Sequence, residues 1–279
     1  MEEIIQDFSA ETLIKANEAN LYGLTPFYYD WPEARRYSGP DVLWCVTDIP
    51  FPWCNTAFAA HLEVEQVDVA IKSFVSEGDR KGVPLFWFIG HDTTPENLGD
   101  SLVSYGFAEW GGSTVMAVDL HAVITLMAPP PNLSIRRVTD LDVLITWCHV
   151  TAEGFGMTSR AESALSKWFT IAARLKQPLH FYLALLDKKP VATSLLFPGG
   201  GVAGIYFVAT IPEARHQGIG FAVTLKSLTE ARRMGYRVGI LQASKMGAGL
   251  YRKMGFSECC KMISYIRLEE APTPSRRTI

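Results

Sequence analysis

A six-residue loop, Arg215-His216-Gln217-Gly218-Ile219-Gly220, is the feature that most restricts the fold of this 279-residue chain. The apolar run before it, residues 204–211, is rich in β-branched and aromatic residues and predicts a buried strand. The segment after it, residues 221–234, has apolar residues at helical spacing and predicts an amphipathic helix capped by Gly235. A strand, a tight turn and a helix in this order indicate an α/β fold.

The same loop also predicts an anion-binding site. The first N–H groups of a helix have no intrahelical partner, and the helix dipole favours negative charge there. Gly218 and Gly220 lack the Cβ atoms that would hold a phosphate away from the backbone. The loop is not a dinucleotide fingerprint, because Val223 stands where the third glycine belongs, and it has no G-K-[ST] sequence. By itself it fits either a phosphate site or a plain tight turn.

A second motif follows downstream, L-Y-R-K-M-G-F at residues 250–256. It comes after a short predicted strand, residues 238–242, and lies in a predicted short helix, residues 246–254, that Gly255 caps. The order R-x-x-G-x-G, helix, strand and L-Y-x-x-x-G-F resembles the GNAT superfamily of acyl-CoA-dependent N-acyltransferases. The resemblance extends over residues 133–268, about half of the chain.

The resemblance implies a binding site for acetyl-CoA as co-substrate and a role for each matching residue. The loop would bind the CoA pyrophosphate through backbone N–H groups. The end of the preceding strand, bulged and splayed from its neighbour, would pair with the pantetheine arm. Ser244 stands where the family often has Asn and would offer its hydroxyl. The cofactor-binding residues expected on this basis are Val208, Ala209, Thr210, Arg215, His216, Gln217, Gly218, Ile219, Gly220, Phe221 and Ser244.

The family tyrosine that matches Tyr251 protonates the leaving CoA thiolate, and the chemistry agrees with that role. A thiol has a pKa of about 8.5 and a tyrosine of about 10, so the phenol can supply a proton as the thiolate leaves. A backbone N–H near Val208 would stabilise the oxyanion.

We therefore expect an acyltransferase (EC 2.3.1.-) that moves an acetyl group to a primary amine of a small molecule or an amino terminus by direct attack. Use of longer acyl groups stays open, and the alternative from another class is a non-catalytic acyl-CoA-binding module with a sensory or scaffolding role.

The acceptor side is less defined. In the family the acceptor binds near the first helix and its following loop, which correspond to residues 147–157, and near the bulged strand. Glu153 could orient or deprotonate a cationic amine, and His149 could do so near neutral pH. A surface carboxylate and a helix-end histidine are the alternative readings. Tyr206, on the strand expected to bind CoA, is a further possible contact, and Gly154 and Gly156 suggest a mobile loop that suits substrate entry.

A proline-rich linker at residues 128–132 divides the chain, because A-P-P-P-N can neither continue a helix nor join a sheet ladder. The first half, residues 1–127, echoes the second half, residues 133–279. It has a predicted strand at 85–89, a segment that ends in Gly106-Phe107, and a strand at 114–120. Leu102 falls opposite Tyr251, and residues 57–77 contain no R-x-x-G-x-G.

We therefore expect an α/β fold with a mixed sheet and two GNAT-like domains in tandem. The first domain would be degenerate and lack the CoA motif, and the second would bind acyl-CoA. An unrelated α/β domain with a chance Gly-Phe ending is the alternative for the first half.

Composition narrows the partners. A net charge of −3 argues against nucleic acid as a main partner. The five cysteines are scattered without C-x-x-C spacing, which indicates reduced thiols in a cytoplasmic protein and no metal site. No apolar run approaches the roughly 20 residues of a membrane span. We expect a small-molecule amine as substrate and a chain that is a monomer or a homodimer.

Overall fold

The computed structural model describes residues 3–24, 31, 33–125, 128–174 and 178–268. They form helices and strands in a mixed α/β fold, as predicted. The chain divides into two compact units. The first unit comprises Met1–Phe27 and Gly112–Met262, and the second comprises Tyr28–Gly111 and Ile263–Ile279.

The elements are numbered in chain order over the described residues. The helices are α1 (Ala10–Leu24), α2 (Val64–Lys81), α3 (Leu98–Ser104), α4 (Leu141–Phe155), α5 (Ser159–Arg174), α6 (Ile219–Arg233) and α7 (Ala248–Lys253). The strands are β1 (Arg35–Ser38), β2 (Leu43–Val46), β3 (Asn55–Phe58), β4 (Leu85–Ile89), β5 (Ala108–Asp119), β6 (Leu133–Arg137), β7 (His180–Leu186), β8 (Lys189–Gly199), β9 (Val202–Thr210), β10 (Val238–Ala243) and β11 (Ser257–Arg267). None of the helices in the described part of the chain is long and apolar enough to span a bilayer.

The sheet of the first unit has the strand order β5-β10-β9-β8-β7-β6. Its neighbours pair antiparallel except β9 and β10, which are parallel. Parallel neighbours need a crossover connection, and α6 supplies it between these two strands. The glycine loop lies at the start of this crossover, so the expected strand, loop and helix are all present.

Alternating side chains of this sheet contact helices on its two faces. Ser194 of β8 lies on the α6 face, where its hydroxyl is 2.8 Å from that of Ser227. Its neighbour Thr193 lies on the opposite face, 3.0 Å from the hydroxyl of Thr151 in α4. Helices α1, α4 and α5 cover this second face. The central strands are therefore buried on both sides, which explains their nearly continuous apolar sequence.

Helix α1 belongs by its contacts to the first unit, although it lies at the other end of the sequence. Just before it, the N–H of Ile5 donates to the carbonyl oxygen of Gly201 at 3.0 Å. Within it, the side-chain amide of Asn20 donates to the carbonyl oxygen of Gly199 at 2.7 Å. The division expected from the sequence, 1–127 and 133–279, assigns α1 to the other domain. The compact units differ from this division because these contacts attach α1 to the β8–β9 hairpin.

The second unit repeats the part of the first unit's element order that runs from β7 to α7. Three antiparallel strands, β1, β2 and β3, are followed by α2, the parallel strand β4 and the short helix α3. Its core includes the fully buried Phe74, Leu85 and Trp87. Helix α2 begins at Val64 and continues to Lys81, where Gly82 ends it with φ +62°.

The last strand of each half pairs with the other half of the sequence. Strand β5, which precedes the linker, pairs antiparallel with β10, with Ala117 opposite Ile240. Strand β11 pairs antiparallel with β4, with Tyr265 opposite Trp87. Because of this exchange, the units divide at Gly111 and Met262 rather than at the linker.

Candidate functional site

The glycine loop leads into α6 through two left-handed residues. His216 has φ +62° and Gly218, the N-cap of α6, has φ +78°. The side chains of Ile219 and Phe221 are buried in the core between α6 and the sheet. These buried side chains hold the first turn of α6 in place, while His216 and Gln217 of the loop are exposed.

Six consecutive N–H groups in this loop, from His216 to Phe221, donate no hydrogen bond to any described residue. The first bond of the helix runs from the N–H of Ala222 to the carbonyl oxygen of Gly218 at 3.0 Å. A Cβ built on Gly220 would meet its nearest neighbours, Leu250 and Thr210, only at 3.6 Å. Packing within the protein therefore does not require this glycine. Unpaired donors beside an open glycine fit the phosphates of a CoA-type ligand.

Arg215 uses its side chain within the protein. Its Nε donates to the carbonyl oxygen of Thr210 at 3.1 Å, and its Nη2 donates to that of Gly154 at 2.8 Å. Its own N–H donates to Pro212 at 3.3 Å. The sequence motif predicts Arg215 among the ligand-binding residues. In the structure its guanidinium joins the end of β9 to the end of α4 and fixes the loop that follows.

The parallel strands β9 and β10 separate in front of the loop. They pair only at Ala203–Gly239 and Gly204–Ile240. Beyond this point β9 continues to Thr210 and β10 continues to Ala243, with no further pairing between them. We call this opening the fork. Its inner edges present backbone groups that an extended ligand could pair with, as an added strand would.

A β-bulge lies on the β9 edge of the fork. Phe207 and Val208 stand opposite the single residue Ser194 of β8, and Phe207 has φ +47°. The hydroxyl of Thr193 donates to the carbonyl oxygen of Phe207 at 3.1 Å, and the hydroxyl of Thr151 lies 3.0 Å from that of Thr193. Both threonines are fully buried. This pair of hydroxyls fixes the direction of the Phe207 carbonyl and with it the backbone that leads into residues 208–210.

Tyr251 lies on α7, beyond the end of β10. It is 8% exposed, its ring contacts Phe256 at a centroid distance of 5.7 Å, and its hydroxyl forms no hydrogen bond with a described residue. Burial raises the pKa of Tyr251 to about 12. The phenol is therefore neutral throughout the physiological range and retains a proton to donate.

Ser244 precedes α7 at the end of β10. Its Oγ accepts a hydrogen bond from the N–H of Gly247 at 3.2 Å, so the hydroxyl stabilises the turn into the helix. A Cβ on Gly247 would lie 3.5 Å from this Oγ and 3.1 Å from Cε2 of Tyr251. The absence of a side chain at Gly247 thus lets Ser244 and Tyr251 lie on either side of one glycine.

The residues expected to contact the acceptor amine lie in two different environments. His149 and Glu153 are on the exposed surface of α4, where Nδ1 of His149 is 2.9 Å from Glu162 and Nε2 is 3.9 Å from Glu153. The two carboxylates therefore flank the imidazole. Tyr206 is instead buried, and its hydroxyl donates to Oδ1 of Asn20 at 2.7 Å. The burial raises the pKa of Tyr206 further than that of Tyr251.

Sequence reasoning misses two features of the site. Gly154 packs against β9, because a Cβ there would lie 2.9 Å from that of Ala209 and 3.2 Å from the N atom of Thr210. The sequence suggests a mobile loop at this glycine, but it is the point where α4 contacts the fork. The second feature is the contact of Asn20 with β9. The signals for it are the glycine run 199–201 and two asparagines at helical spacing on the apolar face of α1.

The first unit thus has a mixed sheet whose two parallel strands, β9 and β10, separate in front of the glycine-rich start of α6. Residues 145–256 match the family model described as the acetyltransferase (GNAT) family. This match confirms the similarity to the GNAT family that the two motifs predicted, over residues 145–256. This match includes the loop, both edges of the fork and Tyr251. A comparison with curated protein sequences gives no significant match.

Solved structures extend the similarity of fold to nearly the whole chain. A GCN5-related N-acetyltransferase from Kribbella flavida has a TM-score of 0.68 at 16% identity, covering 94% of this chain and 96% of that one. A second one, from Sphaerobacter thermophilus, has a TM-score of 0.59 at 16% identity, with 84% and 82% covered. A tandem GNAT protein from the clavulanic acid biosynthesis pathway has a TM-score of 0.55 at 13% identity, with 95% and 94% covered. At these identities the similarity concerns the fold alone.

Proposed function

We propose that this protein is an N-acetyltransferase that moves an acetyl group from acetyl-CoA to a primary amine of a small molecule or an amino terminus. The observation that carries the proposal is the fork. Strands β9 and β10 stop pairing after Gly204 and Ile240, and unpaired N–H groups begin at His216, at the head of the connecting helix. A GNAT-family domain supports acyl transfer in general, and the finer assignment rests on these residues.

The proposed binding mode uses the backbone for most contacts. The N–H groups from His216 to Phe221 would bind the pyrophosphate at the positive end of the α6 dipole. The edge of β9 from Val208 to Thr210 would pair with the pantetheine arm. Ser244 would contribute its hydroxyl, although that hydroxyl already accepts a bond from Gly247. Arg215 would contribute only indirectly, by holding the loop.

The proposed chemistry is direct attack. The nitrogen of a neutral amine forms a bond to the thioester carbon, the C–S bond breaks, and the thiolate takes a proton as the amine loses one. Tyr251 would supply the proton, and the N–H of Val208 would stabilise the oxyanion. Holding both reactants in contact accounts for much of the acceleration in such a reaction. Glu153 and His149 would act on the amine only from the exposed surface of α4.

The second candidate is a non-catalytic acyl-CoA-binding module. It is supported by the acceptor side, where His149 contacts two glutamates on the surface and Tyr206 is enclosed by the protein. For either function we place the protein in the cytoplasm, because its five cysteines, all within the described residues, form no disulfide.

An assay of CoA thiol release with a panel of primary amines, together with calorimetry of acetyl-CoA binding, separates these functions. We expect binding of acetyl-CoA and turnover with at least one amine. Binding without turnover on any amine would favour the module. Absence of both binding and turnover would overturn the proposal.

A further inference from the structure

We propose that helix α1 is the clamp that keeps the fork open, with Asn20 and Asn17 as positioning residues for its two arms. The inference rests on the proposed acetyl-CoA site. It assigns a role in that site to a segment more than a hundred residues before the family-matched region, which begins at residue 145.

Asn20 holds the β9 arm. Its side chain is fully buried, and its helix packs against β8 and β9. Its Nδ2 donates to the carbonyl oxygens of Gly199 at 2.7 Å and Phe197 at 3.2 Å, and its Oδ1 accepts from the hydroxyl of Tyr206 at 2.7 Å. Tyr206 is the last β9 residue before the bulge that opens with Phe207. One side chain thus satisfies donor and acceptor groups along β8 and β9.

The contact reaches the vertex of the fork. A Cβ built on Gly204 would lie 2.1 Å from Oδ1 of Asn20 and 2.5 Å from Cε2 of Tyr206. Gly204 is also the last residue of β9 that pairs with β10. Only a glycine allows α1 to approach the backbone at this point. The close approach and the end of strand pairing therefore occur at the same residue.

Asn17, one helical turn before Asn20, holds the β10 arm. It is 1% exposed, and its Oδ1 accepts a hydrogen bond from Nε2 of Gln242. Gln242 lies two residues beyond Ile240, the last residue of β10 that pairs with β9. The same helix therefore contacts both strands just past the point at which they separate.

These contacts give α1 a function in the fork beyond the direct interaction of the Tyr206 and Gln242 side chains. Past Gly204 and Ile240 no backbone hydrogen bond fixes the distance between the arms. Asn20 bonds Tyr206 on one arm and Asn17 bonds Gln242 on the other, within one rigid helix. The spacing of the fork is thus set by the separation of two asparagines at positions i and i+3. A pantetheine arm between the strands would bind to an opening that is already formed.

Two near-isosteric variants test this, Tyr206→Phe on β9 and Gln242→Met on β10. The two side chains also interact with each other across the fork, so each variant removes that contact together with its bond to α1. Lys15→Ala, on the exposed side of α1, is the matched control. The probes are acetyl-CoA and 3′-phosphoadenosine 5′-diphosphate, which has the pyrophosphate but no pantetheine. We expect each variant to weaken acetyl-CoA binding about fivefold to tenfold and to change nucleotide binding less than twofold, and the control to change neither.

The differential readout separates positioning from loss of structure. A general loosening of the domain would weaken the binding of both probes by the same factor, and that result would overturn the inference. Unchanged acetyl-CoA affinity in both variants would overturn it as well. If the unaltered protein binds neither probe, the proposed function fails instead, and this outcome is recognisable before any variant is made. Asn20→Leu, which removes all bonds of that side chain at once, should exceed the effect of Tyr206→Phe if it folds.

Discussion

The guanidinium of Arg215 donates a hydrogen bond to the carbonyl oxygen of Gly154, 61 residues earlier in the chain, at 2.8 Å. The same group donates to Thr210, the last residue of β9. One side chain thus connects the C-terminal end of α4, the end of the fork and the start of the glycine loop, where we propose that an anion binds. Arg215, expected among the cofactor-binding residues, therefore positions the loop whose backbone N–H groups would bind the ligand.

Arg215→Lys should weaken acetyl-CoA binding about tenfold even though the charge is kept. A lysine cannot donate to two carbonyl oxygens from a planar group, so the loop loses one of its two attachments. Calorimetry of acetyl-CoA binding measures the effect. Arg232→Lys on α6 is the control and should leave the affinity unchanged. An Arg215→Lys protein with full affinity would show that the loop holds its shape without this side chain.

Gly154→Ala should destabilise the protein by about 1–3 kcal/mol, because the new methyl group overlaps Ala209 and the backbone of Thr210. Gly249→Ala is the control, and we expect it to have an effect of the opposite sign. Gly249 lies within α7, and the new methyl group would have no neighbouring heavy atom within 4 Å, so the substitution should stabilise the protein by roughly 0.5–1 kcal/mol. Chemical denaturation measures both values. Equal effects with the same sign would contradict the packing of α4 against the fork.

Thr193→Val should lower turnover while the domain stays folded. Valine keeps the shape of threonine but leaves the buried carbonyl oxygen of Phe207 without its donor, at a cost of about 1–3 kcal/mol. The bulge that directs residues 208–210 would then relax. Steady-state kinetics should show a higher KM for acetyl-CoA, and Thr229→Val on the exposed surface of α6 should not. If only thermal stability changes, the hydroxyl supports the core rather than the site.

Tyr251→Phe should reduce kcat by roughly 10²–10⁴-fold, the range of general acid catalysis, with acetyl-CoA affinity retained. The ring still packs on Phe256, so only the proton donor is lost. Tyr105→Phe in the second unit is the control. Turnover close to that of the unaltered protein would remove Tyr251 from the mechanism and leave the thiolate to take its proton from water.

Phenolate absorbance should show Tyr251 titrating later than a free tyrosine. Burial raises its pKa to about 12 from an ordinary value near 10, so the donating form persists through the neutral range. Because the folded pKa is the higher one, the contribution of this residue to stability is complete below about pH 10 and is lost as pH rises towards 12. A difference titration against Tyr251→Phe isolates the signal. A titration step near the ordinary value would indicate a solvated hydroxyl.

The local elements of the site could be predicted from the sequence, because their signals are short-range. The strand before the loop, the helix after it and the helix with Tyr251 all lie within a few residues of their predicted ends. Apolar periodicity and the glycine caps fix such elements. Gly235 and Gly255, for example, have φ values of +93° and +95° at the helix ends where the sequence predicts caps.

The long-range relationships could not be predicted in the same way. Nothing near Asn20 indicates that its partner is Tyr206, 186 positions later. No local signal indicates that β5 pairs with β10. The alternation of side chains along β5 fixes which of them face the core, but it does not specify the strand that β5 pairs with. Arg215 illustrates a third case, because its position in the motif is fixed while the direction of its side chain depends on Gly154.

The exchange of the terminal strands has a consequence for how the chain folds during its synthesis. The strands β1 to β4 emerge from the ribosome early, but the strand that completes their sheet, β11, ends only at Arg267. The first-made sheet must therefore keep the edge of β4 open until translation has passed Arg267. Meanwhile β5 must wait for β10, which begins at Val238. Co-translational folding of the first half is thereby coupled to completion of the second, and truncated chains should be captured by chaperones through this open edge.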